Sequence, residues 1–357
     1  MPQSPAPKRS SVRACLTALL LLAPAPFAAA ATYHLPSTPQ TVHRSVLSPD
    51  FAPVLSIKSG DTVVIDTVSH GGLTTGDPVT FFAAEGIAEK DVLQDAIAIA
   101  KIPYDKSFGG HVLTGPIAIA DAQPGDMLEV RIKAVKPRTG YGVNNAGNGV
   151  GAAPDLLPAG TPSSRIIKYD GGRAHFAPGI SFPLRPFLGT MAVAPVSAIP
   201  SRAPGIYGGN IDFQKLQAGS TLYLPVQVKD ALFAAGDPHA AQGDGEVSGN
   251  ALESSMTATL EFVLHKGEAK AMTMPFAEDR ENFYIFGMDH DLDVALSNTI
   301  KETAKFLGAR YGLTPQQAYS LSSTALDYGL AEAVDLNLVM YATIPKAYFA
   351  KKTAYWK

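Results

Sequence analysis

Short apolar runs separated by turn residues fill most of the chain. The segments 61–66 and 126–132 alternate β-branched or apolar residues with polar ones, and 221–228 repeats the pattern after a turn that contains glycine. Alternation with a period of two predicts half-buried β-strands. The chain also spreads 32 glycines and 28 prolines along its length, which suits short strands joined by tight turns. We therefore predict a mainly β fold, built from sandwich or barrel units, over residues 40–270.

The pattern changes toward the C-terminus. Apolar residues recur at helical spacing over 291–311, and a second helix is predicted to begin after Thr314, with Pro315 at its first position. Residues 334–342 then predict a closing strand. The sequence therefore predicts a smaller α/β region over residues 271–350.

One long stretch between predicted strands, residues 144–160, has no periodicity. It is rich in glycine, asparagine and alanine, and we predict a long exposed loop. Long loops are often functional, but many are only flexible. A lid over a site and a plain surface insertion are both open interpretations.

The first thirty residues have the pattern of an export signal. Basic residues precede a short apolar stretch at 15–22, and a run of alanines follows at 28–31. The apolar stretch is shorter than the roughly twenty residues that a membrane-spanning helix needs. We predict that residues 1–30 are a signal peptide and that 31–357 is the mature protein, either periplasmic or secreted.

Composition and charge exclude several kinds of partner. With 46% hydrophobic and 17% charged residues, the chain resembles an ordinary globular protein. Its 29 basic residues are offset by 32 acidic ones, so we expect no nucleic-acid partner, and no membrane partner after signal cleavage. Cys15, the single cysteine, lies in the predicted signal peptide. The mature protein therefore lacks disulfides, thiolate nucleophiles and sulfur ligands for a metal.

The densest group of polar side chains lies in the glycine-flanked segment 236–249. Glycine lets a backbone direct several side chains at one point, and aspartate and histidine are ligands that zinc accepts. We predict a catalytic metal centre there. A loop of Asx turns or a calcium-binding loop is the alternative. The polar residues of the segment are Asp237, His239, Gln242, Asp244 and Glu246.

A metal usually draws ligands from distant segments as well. Asp66 and His70 are four residues apart at the end of a predicted strand, just before two glycines that permit a bend. They are the best candidate pair, although a capped turn beside a surface histidine explains the spacing equally well. His111 follows another glycine pair and is a further candidate, either as a ligand or to orient a substrate.

The segment 236–249 resembles the signature of the acetamidase/formamidase family almost residue for residue. The segments 113–117, 122–130 and 208–212 resemble three further motifs of that family, and the resemblance covers about residues 40–350. It implies a β-rich fold with an α/β portion. It also implies that the mature chain hydrolyses short aliphatic amides to a carboxylate and ammonia with a divalent metal.

The resemblance also implies site residues. We interpret Asp237 and His239 as metal ligands and Glu246 as the general base and acid. Zinc suits these ligands best, and calcium or manganese are the alternatives. Gln242 and Asp244 complete the predicted catalytic group. Two further residues are expected near this active-site segment, Asn210 and Asp212.

The leading prediction is therefore metal-dependent hydrolysis of a short linear amide such as formamide or acetamide. Two alternatives stay open. Export favours a larger amide or another C–N bond, because small neutral amides cross membranes unaided. A β protein that binds a carbohydrate or another ligand through calcium is the second alternative. The resemblance also suggests a homo-oligomer, although the sequence carries no assembly signal.

Overall fold

The structure is a computed structural model, and it describes residues 1–6, 30–73, 76–270, 272–350 and 354–356. Most of the predicted signal peptide lies outside the described residues, so the signal peptide stays a prediction. None of the helices described is both long enough and apolar enough to cross a membrane. A compact unit begins at Ala31 and contains the strands and helices given below.

Strands dominate this unit, as the alternating pattern predicts. In chain order, the strands in the described ranges are β1 (Thr32–Leu35), β2 (Val42–Arg44), β3 (Val46–Leu47), β4 (Leu55–Ile57), β5 (Thr62–Thr67), β6 (Val112–Ile119), β7 (Met127–Pro137), β8 (Tyr141–Asn145), β9 (Ser164–Asp170), β10 (Arg173–Ala177), β11 (Ile180–Pro183), β12 (Phe187–Ala192), β13 (Ile199–Pro200), β14 (Gly208–Asn210), β15 (Thr221–Pro225), β16 (Phe233–Ala241), β17 (Leu252–Glu253), β18 (Met256–His265), β19 (Phe276–Glu278), β20 (Asn282–Asp289), β21 (Asp327–Glu332) and β22 (Leu338–Pro345). The described α-helices are α1 (Pro78–Ala84), α2 (Gln94–Ile99), α3 (Leu292–Tyr311) and α4 (Pro315–Ala325). Single 3₁₀ turns are described at Glu89–Asp91, Lys106–Phe108, Glu268–Lys270 and Lys346–Tyr348.

Two large sheets contain nearly all of the described strands. The strand order of the first is β1-β5-β18-β7-β15-β19-β20-β22-β21. The second follows β11-β10-β9-β8-β17-β16-β12-β14, and β6 joins it beside β16 and also pairs with β2 and β4. Neighbouring strands are antiparallel, except for the parallel pairs β1–β5 and β4–β6. The prediction of a mainly β fold is confirmed.

One hydrophobic core lies between the two sheets. In β5 and β18 buried residues alternate with more exposed ones, as expected for strands that cover a core with one face. Phe262 of β18 meets Phe233 of β16 edge to face, with ring centroids 5.0 Å apart. By contrast, every residue of β6 and β16 is buried. Polar side chains on these two strands are therefore removed from bulk water.

The C-terminal helices pack on the first sheet around a second apolar cluster, which includes Phe283 and Phe306. A capping box begins α4, as Thr314 Oγ1 accepts from the Gln317 amide and Gln317 Oε1 accepts from the Thr314 amide. Gly287 of β20 lets α3 approach closely, because a Cβ at this position would lie 2.2 Å from the Thr299 backbone nitrogen. Both helices and their starts agree with the prediction.

Some local predictions differ from the structure. Helices α1 and α2 interrupt a region that alternation predicts as strands, and α1 begins at Pro78 after an Asp77 cap. The closing strand, β22, begins only at Leu338. Asn145 ends β8, and no strand follows until Ser164, in agreement with the predicted loop. The glycine-flanked segment 236–249, for which a loop is the alternative interpretation, begins inside the buried strand β16.

We expect Gly287→Ala to destabilise the protein by about 1–3 kcal/mol, because the added methyl group overlaps the α3 backbone. Gly140→Ala is the matched control, since its nearest neighbour would be 3.7 Å away, and it should change stability by less than about 0.5 kcal/mol. Urea unfolding followed by fluorescence measures both. Equal midpoints for the two variants would contradict the close packing of α3.

Candidate metal centre

Asp237 and His239 lie two residues apart on the buried strand β16. Asp237 is 3% exposed and His239 is completely buried. Asp237 Oδ2 lies 3.2 Å from His239 Nε2. Strand β17 pairs with β16 so that Glu253 is directly opposite His239, and Glu253 Oε1 lies 3.2 Å from the same nitrogen. Two carboxylates therefore meet one imidazole nitrogen in the interior of the sandwich.

Two further histidines reach Asp237 from other segments. His70, just after β5, places Nδ1 3.2 Å from Asp237 Oδ1 and 3.7 Å from Glu253 Oε2. His111, just before β6, places Nε2 3.9 Å from Asp237 Oδ1. The structure thus brings together four of the five predicted ligands. Glu253 is the fifth member of this group, which we call the candidate metal centre.

Several atoms of the candidate metal centre are buried and lack hydrogen-bond partners in the described part of the chain. They are His70 Nδ1, Asp237 Oδ1, His239 Nε2 and Glu253 Oε2. These atoms lie near one another, but none is aligned to donate to another. An unsatisfied buried polar group costs about 1–3 kcal/mol, and more when it is charged. A cation that binds these nitrogen and oxygen atoms would remove that cost, so the residues fit a divalent metal.

Gln242 fixes the tautomer of His239. Its amide Nε2 donates to the backbone oxygens of Asp212 at 2.6 Å and Ala331 at 3.3 Å, which orients the amide group. Gln242 Oε1 then lies 2.9 Å from His239 Nδ1, and as an acceptor it requires the proton on that nitrogen. In the neutral imidazole, the form that binds a metal, the lone pair is therefore on Nε2, the atom that faces Asp237 and Glu253. Fixing a ligand histidine through its second nitrogen is typical of metal sites.

Asp237 belongs to two groups whose ligand atoms lie within 4.8 Å of one another. One group is His70, His111 and Asp237, and the other is Asp237, His239 and Glu253. A carboxylate has two oxygens, so Asp237 can serve both groups at once. The residues therefore fit either one cation or two that share Asp237.

A pair of buried carboxyl groups lies beside the candidate metal centre. Asp212 and Glu246 form a further group with His239, in which the nearest imidazole nitrogen to Asp212 is Nδ1 at 3.8 Å. That nitrogen is already hydrogen-bonded to Gln242 Oε1 and is therefore not free to bind a metal. This group thus lacks an imidazole ligand. Asp212 and Glu246, which we call the carboxyl pair, are therefore better suited to hold a proton than a metal.

The electrostatics separate the carboxyl pair from Asp237. Burial raises the pKa of Asp212 well above its usual range, and the nearby charge of Glu246 adds to the effect. Burial likewise raises the pKa of Glu246 well above its usual range. Burial opposes the charge of Asp237 too, but His111 and His239 outweigh it and hold that pKa well below its usual range. The surroundings thus favour the charged form of Asp237 and the protonated forms of Asp212 and Glu246.

The backbone around the site is strained. Asp212, Asp237 and Glu246 all have positive φ, near 46°, 49° and 45°, a region that non-glycine residues rarely adopt. Gly189 of β12 allows the carboxylates to approach. A Cβ there would lie 2.2 Å from Asp212 Oδ1 and 2.8 Å from Asp237 Oδ2. The surrounding sheets therefore hold these side chains in place against local preference.

Two predicted residues lie apart from the candidate metal centre. Asp66 contacts His34 Nε2 at 3.0 Å and accepts from Thr257 Oγ1 at 2.5 Å, and it belongs to none of the metal-ligand groups found among the described residues. Asp244 is exposed, and its carboxylate accepts from Gln214 Nε2 and Tyr341 Oη at 3.0 and 2.7 Å. The predicted neighbour Asn210, by contrast, donates to Asp212.

Glu253 and Asp335 are site residues that sequence reasoning missed. Asp335 Oδ2 accepts from Asn210 Nδ2 at 2.5 Å, and its other oxygen accepts from Arg202 Nε at 3.2 Å. Neither acid lies in a polar cluster of the sequence. The available signal for Glu253 was a single charge beside Leu252, shortly before a run of alternating residues at 256–264.

The candidate metal centre lines a cavity of about 370 Å³, which we call the polar cavity. The lining includes Glu246 of the carboxyl pair, and also Asn210 and Asp335. Asn210 Nδ2 donates to both Asp212 and Asp335. A small molecule in this cavity would therefore contact both candidate metal ligands and Glu246. Four of its other lining residues are His70, His111, Asp237 and Glu253.

Comparison with known proteins gives the family. The sequence profile of the Acetamidase/Formamidase family matches residues 32–205 and 198–351. The chain belongs to the acetamidase/formamidase family. The resemblance inferred from the 236–249 segment is thereby confirmed.

Individual relatives agree with this assignment. A putative formamidase of Schizosaccharomyces pombe is 26% identical over 63% of this chain, and a formamidase of Methylophilus methylotrophus is 31% identical over 34% of it. These alignments span 65% and 34% of the relatives' own lengths, so the chain matches only part of each. The solved structure of an acetamidase from Bacillus halodurans superposes with a TM-score of 0.74 at 28% identity, covering 90% of this chain and all of that one.

We expect Glu253→Gln to lower the amount of tightly bound divalent metal at least tenfold, because it removes a charged ligand from the candidate metal centre. Asp66→Asn is the matched control and should bind metal as the wild type does. Elemental analysis of the purified proteins after exhaustive dialysis measures both. Metal loss from Asp66→Asn with retention in Glu253→Gln would show that the ligands lie elsewhere.

We also expect Gln242→Leu to weaken metal affinity about 10–100-fold, because the His239 tautomer is no longer fixed. Gln217→Leu is the matched control and should keep wild-type affinity, because the Gln217 side chain donates to the Gln214 backbone oxygen and not to a histidine. Competition with a fluorescent zinc chelator gives the two dissociation constants. Equal affinity of Gln242→Leu and the wild type would exclude a positioning role for Gln242.

Proposed function

We propose that this chain hydrolyses the C–N bond of a linear amide to a carboxylate and ammonia, with a divalent metal at the candidate metal centre. One observation carries the proposal. Buried ligand atoms without hydrogen-bond partners among the described residues converge on Asp237, beside a carboxyl pair whose Glu246 lines the same cavity. Family membership supports amide hydrolysis as the reaction class.

The ligands favour zinc. Three imidazoles and two carboxylates, with no sulfur, match zinc's preference for nitrogen and oxygen, and manganese is the main alternative. Calcium prefers six to eight oxygen ligands, so the histidines favour it less. A bound divalent cation lowers the pKa of water toward about 7 and polarises a carbonyl group. Because three of the candidate ligands are histidines, the geometry gives less support to the alternative hypothesis of a calcium-dependent binding protein.

The protein's own groups supply the proton movement. Amide hydrolysis adds water's oxygen to the carbonyl carbon, breaks the C–N bond, and needs a proton on the departing nitrogen. Glu246 lines the polar cavity, and we assign it as the general base and acid that carries this proton. Asp212, the other member of the carboxyl pair, has a carboxyl oxygen within 4.8 Å of one of Glu246. Asn210 donates to Asp212 Oδ2 and so fixes that carboxyl group.

The location and assembly of the protein are part of the proposal. The basic, apolar and alanine-rich order of the N-terminal sequence supports export, so we propose a periplasmic or secreted enzyme. The family resemblance supports a homo-oligomer, so we propose that the enzyme assembles from identical subunits. Light scattering, which measures the mass of the assembly in solution, tests this. Neither feature changes the chemistry proposed for the site.

We expect the metal-loaded mature protein to release ammonia from members of a panel of formamide, acetamide, propionamide and longer amides. Glu246→Gln should lower kcat by about 10²–10⁴-fold while metal content is retained, because the carried proton is lost. Glu268→Gln makes the same chemical change at an exposed position and should keep wild-type activity. A coupled assay for ammonia measures each rate.

The proposal fails if no amide of the panel releases ammonia at full metal occupancy. Wild-type activity in Glu246→Gln would leave the reaction class standing but remove the role assigned to Glu246. Activity that survives complete removal of the metal would remove metal dependence.

A further inference from the structure

A second cavity adjoins the polar cavity. The two share Glu246 and Asn250 in their linings, and the second has a volume of about 350 Å³. We call it the apolar cavity, because apolar side chains form much of its walls. These side chains come from β9, from the β10–β11 hairpin, from the turn after β16 and from β17. Its main apolar residues are Ile167, Phe176, Phe182, Val247 and Leu252.

Several polar residues of the apolar cavity already have partners within the protein. Asn144 Nδ2 donates to backbone oxygens of segment 250–251 at 2.9 and 3.0 Å. Arg185 Nη2 donates to the Gln242 backbone oxygen at 3.3 Å. Asp244 accepts two hydrogen bonds from neighbouring side chains. The walls therefore offer a ligand mainly hydrocarbon surface.

The apolar cavity is much larger than a short amide requires. Cavities above about 300 Å³ suit ligands of drug-like size, whereas formamide and acetamide have only a few heavy atoms. The residues at its mouth also expose apolar surface to water, with Phe176 37% and Val247 62% exposed. A hydrocarbon group in the cavity would cover this surface and gain from its removal from water.

We propose that the apolar cavity binds the hydrocarbon part of the acyl group, so that the preferred substrates are primary amides with medium-length aliphatic or aromatic acyl groups. This inference rests on the proposed function. The amide group lies in the polar cavity next to Glu246, and the acyl group extends past Glu246 and Asn250. Hydrolysis breaks the C–N bond, the carboxylate keeps the hydrocarbon, and the nitrogen takes a proton and leaves as ammonia.

The test compares kcat/KM for hexanamide and phenylacetamide with kcat/KM for acetamide. We expect the metal-loaded wild type to prefer the larger amides at least tenfold, since each methylene in an apolar pocket is worth about tenfold or more. Val247→Asn and Phe176→Ser should each lower this preference about tenfold, because each removes apolar surface that the larger acyl groups would contact. Ile180→Asn is the matched control, because Ile180 is 56% exposed on the same hairpin but does not line the cavity.

The outcomes separate the two proposals. Hydrolysis of acetamide with no preference for larger amides would overturn this inference and leave the amidase function intact. A preference that Ile180→Asn lowers as much as Val247→Asn does would also overturn it, because the cavity walls would not be the cause. If no amide is hydrolysed, the inference falls together with the proposed function.

Discussion

The burial of unpaired ligand atoms around Asp237 is the constraint on which the rest of the structure depends. Every residue of strand β16 is buried, so its polar side chains cannot turn to water. His70 and Glu253 come from separate segments and place buried atoms without described partners near Asp237 and His239. His111 approaches Asp237 from a third segment. Without a cation, each such atom would oppose folding. The fold and the proposed metal site are therefore linked in energy, and a metal bound there would stabilise the protein as well as supply the proposed chemistry.

The surroundings of this group serve to keep it in place. Gly189 leaves the space that Asp212 and Asp237 need, and Gln242 directs the free lone pair of His239 toward the other ligands. Three acidic residues hold positive φ angles that only a well-packed site can maintain. The surroundings lower the pKa of Asp237 and raise the pKa of Glu246, although both are buried. That difference suits the proposed roles of Asp237 as a metal ligand and Glu246 as a proton carrier.

The sequence predicts much of the fold because local physics determines those parts. Alternation predicts β5 and β7, and the Thr314 cap with Pro315 predicts the start of α4. Asp237 and His239 could be predicted as site residues because segment 236–249 combines glycines with many polar side chains over a short stretch of sequence. Glu253 could not be predicted, since only the pairing of β17 with β16 brings it opposite His239. Asp66 shows the converse, because its spacing to His70 suggests a shared ligand pair, yet the chain turns after β5 and separates them.

Anomalous diffraction from crystals of the zinc-loaded protein would show directly whether a cation binds at the candidate metal centre. We expect a strong peak at the zinc edge about 2.0–2.2 Å from His239 Nε2 and from a carboxylate oxygen of Asp237 or Glu253. A second peak between Asp237 and the two histidines His70 and His111 would show that Asp237 serves two ions. Full zinc occupancy at another place, with ordered water on His239 Nε2, would show that the candidate metal centre does not hold the metal.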